Sequence, residues 1–450
     1  MVHSHPMQNP TGGVGRDRFF DLRRAAMQPA LHDDLITRVL DRQNMHRAWK
    51  QVKANGGAAG IDGMTIEEFP DCMRTQWSAI RQALRDGTYQ PAPVRRHAIA
   101  KPGGGERLLG IARILDRVIQ QAISQVLTPI FDPAFSASSF GFRPGRRAHG
   151  AIKQVNGYIK AGYRVCVDVD LAKFFDTVDH DVLMARLAER VSDKGLLQLI
   201  GRYLRAGVAV EGTIQPTREG VPQGSPLSPL LSNIVLDVLD KELERRGHRF
   251  ARYADDAVIL VRSRRAGKRV MESITRFLER KLKLKVNRQK SQVVSARQVA
   301  FLGFVFRRGK IRWSDESFEG FKAKVRRLTS RTWGISMKKR LAILSCYLRG
   351  WITYYGLSKY YRPLPELDRW IRRRVRMCYW KQWGRPRRRI AMLIKLGVNR
   401  RNAIITGRSR RGPWTMARTP VTQQAMSNPW LKAQGLVSVR ELWIARAELR

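Results

Sequence analysis

Tyr253-Ala254-Asp255-Asp256 sets two carboxylates side by side between an apolar run ending at Arg252 and a second run from Ala257 to Val261. Such runs around a short break read as strand, tight turn, strand. Adjacent carboxylates repel unless a cation lies between them, and hard divalent ions such as Mg²⁺ prefer carboxylate oxygens. The pair therefore suits a metal-dependent phosphoryl-transfer centre. A solvated Asp-Asp turn is the plainer alternative, because turns favour aspartate. A second acidic strand end bears on the choice. Arg164 to Val169 is a β-branched strand that runs into Asp168 and Asp170. Two-metal chemistry needs carboxylates from separate strands meeting across about 4 Å of metal spacing. Asp170 together with Asp255 and Asp256 can supply them. Two such metals would activate a 3′-hydroxyl, stabilise charge on a phosphate and hold a pyrophosphate leaving group.

The elements that must position these acids follow from pattern. Residues 30–90 read as mostly helical around a glycine-rich turn from Asn55 to Gly63. Residues 93–111 read as a hairpin: Val94 to Ala100, a Pro102-Gly103-Gly104-Gly105 turn, then Glu106 to Ile111. Val118, Ile119, Ala122, Ile123 and Val126 keep helical spacing and predict a helix from Leu115 to Leu127. Asp181 to Val191 and Pro226 to Glu244 read as helices. Leu282 to Val286, Val293 to Ser295 and Phe301 to Phe306 are short strand candidates.

The chain has 450 residues, 43% of them hydrophobic, enough for two to four domains with real cores. Its net charge of +48 and pI near 11.3 point to a polyanionic partner, nucleic acid rather than membrane. No apolar run reaches the roughly 18 residues of a membrane span. Cys72, Cys166, Cys346 and Cys378 form no CxxC pair, and no histidine is spaced with them for zinc. Residues 1–30 read as disordered, and the protein as soluble, cytoplasmic and nucleoid-associated. From Phe321 to Arg450 there are 32 Lys and Arg against 4 Asp and Glu, so the charge is concentrated in one region. Leu341 to Tyr355 and Leu367 to Trp383 alternate basic, aliphatic and aromatic residues at helical spacing. Rings beside cations suit nucleic-acid stacking; Trp351, Trp370 and Trp380 are equally compatible with helix cores.

In order along the chain stand NGGAAGIDGMT (Asn55 to Thr65), IAKPGGGERLLGIARILDR (Ile99 to Arg117), SFGFRPG (Ser139 to Gly145), Val167 to His180, GVPQGSPLSPLL (Gly220 to Leu231), YADD (Tyr253 to Asp256), Leu284 to Ser291 and FLGF (Phe301 to Phe304). This succession resembles the reverse transcriptases encoded by bacterial group II introns, the intron maturases, from about Asn55 to Arg450. The resemblance implies catalysis and metal binding by Asp170, Asp255 and Asp256, with two Mg²⁺ ions or Mn²⁺ as a substitute. Asp170 is selected because it stands five residues before Phe175, the aromatic gate that would crowd a ribose 2′-hydroxyl; Asp168 is the weaker candidate. Lys101, Arg107, Phe175, Gln223 and Lys290 would bind the nucleotide, joined by Arg113, and Tyr253 would lie near the primer end. Asp176, Asp179 and Asp181 read as turn and helix-cap acids. Arg372, Arg373, Arg374, Arg376, Arg387 and Arg388 would meet nucleic acid.

The implied fold is α+β: a right-hand polymerase with fingers, an antiparallel-sheet palm, an α-helical thumb/maturase domain and a basic C-terminal region. The expected divisions are a helical extension over 31–92, fingers and palm over 93–312, thumb/maturase over 313–390 and a DNA-binding region over 391–450. The implied activity is RNA-templated addition of dNTPs to a DNA primer, with binding of group II intron RNA to assist splicing and of target DNA for mobility. Lacking cysteines after Cys378, the sequence resembles the endonuclease-lacking subgroup, which would need another primer such as a nascent strand. A splicing-only RNA-binding maturase and a host-adopted reverse transcriptase in defence or repair are the alternatives. Oligomeric state is left open.

Overall fold

The computed structural model describes residues 32–100, 105–210 and 213–448. The expected disorder over residues 1–30, Lys101 and the Pro102-Gly103-Gly104 part of the hairpin turn lie outside the described residues. The chain divides into two compact units. One holds residues up to 147 with 167–259 and 268–292; the other holds 148–166, 260–267 and 293–450.

The described strands are β1 (Val94–Ala100), β2 (Glu106–Ile111), β3 (Val165–Val169), β4 (Val208–Val210), β5 (Thr213–Gln215), β6 (Arg249–Tyr253), β7 (Asp256–Val261), β8 (Gln292–Ser295), β9 (Ala300–Phe301), β10 (Phe304–Arg307) and β11 (Lys310–Trp313). β1 and β2 form the expected antiparallel hairpin, with Ile99 opposite Arg107, and β1 also pairs in parallel with β4. A second sheet has the order β6-β7-β3-β8. That order makes β7 and β3 neighbours, and so draws together acids that lie about ninety residues apart in the chain.

Two helices of the first unit matter to the site. Ile114–Phe131 is buried on nearly every face, with Ile114, Val118, Ile119, Ala122, Ile123 and Leu127 sealed from solvent. Ser228–Arg245 opens with Pro229, which suits a first helical turn where the missing N–H costs nothing. It carries the buried polar residues Asn233 and Asp240 on its inner face.

Leu282 to Val286 is not a strand. Lys283 takes a left-handed φ of 54°, which breaks extended backbone, and only an isolated bridge joins Val286 to Leu171. Phe301 to Phe306 is split into β9 and β10 by a turn at Leu302 (φ 51°) and Gly303 (φ 78°). A Cβ at Gly303 would sit 2.7 Å from the Tyr355 hydroxyl, so glycine is required there.

The second unit is mainly helical beyond β11. A single hydrophobic core runs from Trp313 through Leu344, Trp351, Val375 and Trp380 to Leu393, Met426, Leu431 and Val439. Residues 313–390 and 391–450, expected as separate regions, therefore share one core. Trp351 and Trp380 are core residues rather than stacking platforms. Trp370 stays half-buried, with Arg374 over its ring at 5.5 Å. Buried Asp368 caps the C-terminal helix Val439–Glu448, accepting from Val439 N at 2.8 Å and Arg440 N at 3.2 Å.

Candidate active site

β6 enters a tight turn at Ala254, whose φ of 57° is left-handed, and β7 starts at Asp256. A buried polar network fixes this turn from behind. Arg252 Nε donates to both Asp240 carboxylate oxygens at 2.8 and 3.0 Å. Its other nitrogens donate to Asn233 Oδ1 at 3.0 Å, the Ala254 carbonyl at 2.9 Å and Ser139 Oγ at 2.9 Å. Asn233 Nδ2 in turn donates to the Gly141 carbonyl at 2.9 Å. Gly141 presses so closely on the turn that a Cβ there would lie 2.2 Å from Ala254 N.

β3 supplies the opposing acids. Side chains two apart on a strand share a face, so Asp168 and Asp170 project together. The Asp170 backbone is clamped by the following loop: its N–H donates to Ser291 Oγ at 3.0 Å, and its carbonyl accepts from Asn287 N at 2.8 Å. Asp168 Oδ2 accepts from Gln292 Nε2 at 3.3 Å.

The four carboxylates feel one another. Although Asp256 keeps contact with solvent, neighbouring atoms strip water from its carboxyl. Repulsion from Asp255, Asp168 and Asp170 adds to that, and together they push its pKa up to about 6. Asp168 is raised as well, first by burial and then by Asp170, against the lowering effect of the Gln292 hydrogen bond. Among the described residues no three His, Cys, Asp or Glu side chains form a ready metal cage. Asp170, Asp255 and Asp256 are thus not gathered into a three-ligand cage, a fuller set than Mg²⁺ needs. This ion is commonly held by one or two carboxylates, with water and substrate phosphate completing its shell.

The same unit holds a cavity of about 290 Å³ lined by Phe175, Lys173, Gln223, Arg96, Gly110 and Tyr203, among others. The Phe175 carbonyl accepts from Val221 N at 2.6 Å, and the Gln223 carbonyl from Gly110 N at 2.9 Å, so backbone contacts seat both residues. Lys290 is exposed on the loop that clamps Asp170, and Arg107 is exposed on β2. Tyr253 is half-buried, its ring 6.5 Å from that of Phe142. Arg113 is not free for a nucleotide: it donates to Asp116 at 3.0 Å and to the Tyr89 hydroxyl at 3.4 Å. Asp179 is a helix cap, accepting from Val182 N at 2.9 Å.

In the second unit the basic cluster divides. Arg387 and Arg388 are exposed and Arg372 is half-buried. Arg376 is buried and donates to the Met426 carbonyl and Asn428 Oδ1; burial first, then Arg372, depresses its pKa to about 10. Its expected role at a nucleic-acid surface is corrected to an internal one. Arg373 donates to the Trp414 carbonyl and lies 3.8 Å over the Trp414 ring, and Arg374 donates to Thr329 Oγ1. Sequence reasoning did not single out Arg252, Asn233 or Gly141, which hold the turn; Asp168, the weaker candidate there, acts with Asp170 and Asp255 to raise the pKa of Asp256.

Acids at the ends of neighbouring strands suit a metal-dependent phosphoryl-transfer enzyme. The family model described as "Reverse transcriptase (RNA-dependent DNA polymerase)" matches residues 99–306, and "Group II intron, maturase-specific domain" matches 318–393. Protein YkfC of Escherichia coli (strain K12) is 30% identical over 323 residues, 63% of this chain and 84% of YkfC. Group II intron-encoded protein LtrA of Lactococcus lactis subsp. cremoris is 31% identical over 328 residues, 58% of this chain and 54% of LtrA. The chain thus spans most of the first relative and about half of the second. It belongs to the group II intron reverse transcriptase/maturase family, with the mixed α+β reverse transcriptase fold and the domain of an RNA-directed DNA polymerase. Among solved structures, a partial Cas6-RT-Cas1--Cas2 complex matches with TM-score 0.36 and 25% identity, covering 55% of this chain and 42% of that one. Telomerase from Candida albicans matches with TM-score 0.40 and 11% identity, covering 69% and 63%. No described helix is long and apolar enough to cross a membrane.

Proposed function

We propose that Asp170, Asp255 and Asp256 hold divalent metal, two Mg²⁺ ions, for RNA-templated extension of a DNA primer with dNTPs, and that Asp168 tunes the cluster. The observation that supports this reading is that β7, which starts at Asp256, lies next to β3, which holds Asp168 and ends one residue before Asp170. Uncompensated charges so placed favour a bound cation over four free carboxylates. When bound, the metals supply Lewis-acid stabilisation of the transferring phosphate and a more acidic 3′-hydroxyl. The chain's own residues orient the reactants. Phe175 and Gln223 shape the cavity for the incoming nucleotide, and the exposed Lys290 and Arg107 meet its phosphates. Arg252 and Gly141 hold the catalytic turn. Arg387, Arg388 and the surrounding basic surface bind intron RNA, which supports splicing by the RNA itself, and target DNA during mobility. The working location is the cytoplasm, at the nucleoid.

Primer extension on poly(rA)/oligo(dT) with Mg²⁺ tests the reading. The wild-type chain should incorporate dTTP and Asp255→Ala should not. Equal incorporation by both proteins would overturn the assignment.

A further inference from the structure

Phe142 is the only Phe, Tyr or Trp among the described residues that is classed as exposed, at 50% of its surface. It also adopts a φ of 58°, a left-handed conformation that a bulky side chain avoids. Neither feature favours folding, yet the surroundings impose both. On one side, Gly141 is locked against Ala254 and accepts from Asn233. On the other, buried Arg143 donates to Asp132 Oδ1 at 2.6 Å, to the Asp132 carbonyl at 2.7 Å and to the Ser136 carbonyl at 2.6 Å. Pinned at both ends, the backbone turns the Phe142 ring outward. Backbone strain held by such over-determination clusters at functional sites.

The ring does not complete the core. Its aromatic neighbour is Tyr253, 6.5 Å away and tilted by 44°, near the outer limit for ring pairs. Tyr253 stands two residues before Asp255, so Phe142 lies within roughly one nucleotide's reach of the acids. An apolar ring left open to water at that distance matches a nucleobase or sugar, because every base offers an apolar face to an aromatic side chain.

We propose that Phe142 is a nucleic-acid contact whose ring packs on the terminal nucleotide of the primer strand, beside Tyr253. The proposal rests on the reading of the Asp255-Asp256 turn as the polymerase centre and adds a binding residue to it.

The test uses the full chain, a fluorescent RNA-template/DNA-primer duplex and the variants Phe142→Gly and Phe142→Trp. Glycine tolerates the left-handed φ, so Phe142→Gly should melt at the same temperature as wild type or higher. It should nevertheless bind the duplex about fivefold more weakly or worse, the scale of one lost base–aromatic stack. Phe142→Trp should keep wild-type affinity. Removing the base of the terminal primer nucleotide should weaken wild-type binding and leave Phe142→Gly binding unchanged. Unchanged affinity in Phe142→Gly, or equal weakening of both proteins by the abasic primer, would overturn the proposal. So would a lower melting temperature, which would mark the ring as structural. Asp255→Ala in the same assay separates the two readings. It should bind the duplex as wild type does while losing incorporation; if it still incorporates, the polymerase-centre reading fails whatever Phe142 does.

Discussion

Arg252 and Asp240 are both sealed from solvent and joined through Nε at 2.8 and 3.0 Å, and the same guanidinium donates to the Ala254 carbonyl at 2.9 Å. One buried cation therefore ties the helix Ser228–Arg245 to the left-handed residue that precedes the Asp255-Asp256 pair. Removing one member of a buried ion pair leaves the other charge without compensation. Arg252→Met should thus cost about 3–5 kcal/mol of stability, read by urea denaturation. Arg252→Lys keeps the charge and loses the fork that reaches Asn233, Ser139 and Ala254. It should stay folded and lose turnover in primer extension. A Lys variant with wild-type turnover would show that the turn holds itself.

Asp168 in β3 and Asp170, one residue past its end, differ in restraint. Asp168 is held by Gln292 and partly desolvated, whereas the Asp170 backbone is clamped by Asn287 and Ser291. Asp170→Asn should abolish incorporation, by about 10³-fold or more, as expected for lost charge stabilisation in a transition state. Asp168→Asn keeps the Gln292 contact and relieves repulsion on Asp256, so its loss should be at most about tenfold. Steady-state primer extension ranks the two. The reverse order would move the metal ligand to Asp168.

Much of this was legible in residue order. The hairpin Val94–Ala100 and Glu106–Ile111 and the buried helix Ile114–Phe131 follow from turn residues and apolar period. Asp255 and Asp256 stand out by adjacency as the proposed metal pair. The support behind them did not, because Arg252, Asn233, Ser139 and Gly141 are neighbours only through tertiary packing. In a chain with 85 Lys and Arg, nothing local marks Arg252 as the buried one. Arg376 shows the converse. It sits in a run of arginines that looks like a solvated basic face, yet helical rotation turns it inward to Met426 and Asn428. Trp351 and Trp380 were ambiguous for the same reason, since helical spacing does not say which face is covered.

Phe175 lines the 290 Å³ cavity with Gln223, and its carbonyl is fixed by Val221. If the incoming nucleotide sits there as proposed, the ring would exclude a 2′-hydroxyl by bulk. Phe175→Val should therefore raise rNTP insertion relative to dNTP insertion at least tenfold while dNTP insertion persists. Single-nucleotide insertion kinetics with paired rNTP and dNTP substrates measure the ratio. An unchanged ratio would place the sugar elsewhere.

Asp237, on the helix Ser228–Arg245, offers a pH signature. Burial, then repulsion from Asp240, raises its pKa from 3.8 to about 6, while Lys241, the Ser136 N–H and Arg252 oppose the rise. The folded form binds this proton more tightly than the unfolded chain. The stability it contributes is thus complete below pH 3.8 and is lost as pH rises to about 6. Asp237→Asn should be more stable than wild type at pH 7.5 by about 2 kcal/mol, with the gain shrinking to nothing near pH 4. Denaturation midpoints across that range give the difference, and a gain independent of pH would reject the assignment.

The basic residues of the second unit divide by burial, and RNA binding should divide the same way. Arg387 and Arg388 are exposed on the helix Pro386–Lys395, so their charges are available to phosphates. Each phosphate contact contributes about 0.7–0.9 to the slope of log affinity against log salt. Replacing both arginines by alanine should lower RNA affinity and reduce that slope by about 1.5, with the melting temperature unchanged. Arg376→Ala should act oppositely, lowering the melting temperature through loss of its contacts to Met426 and Asn428 and leaving the slope intact. A salt slope that fell with Arg376→Ala and held with the exposed pair removed would mean that the nucleic acid docks on another face of the unit.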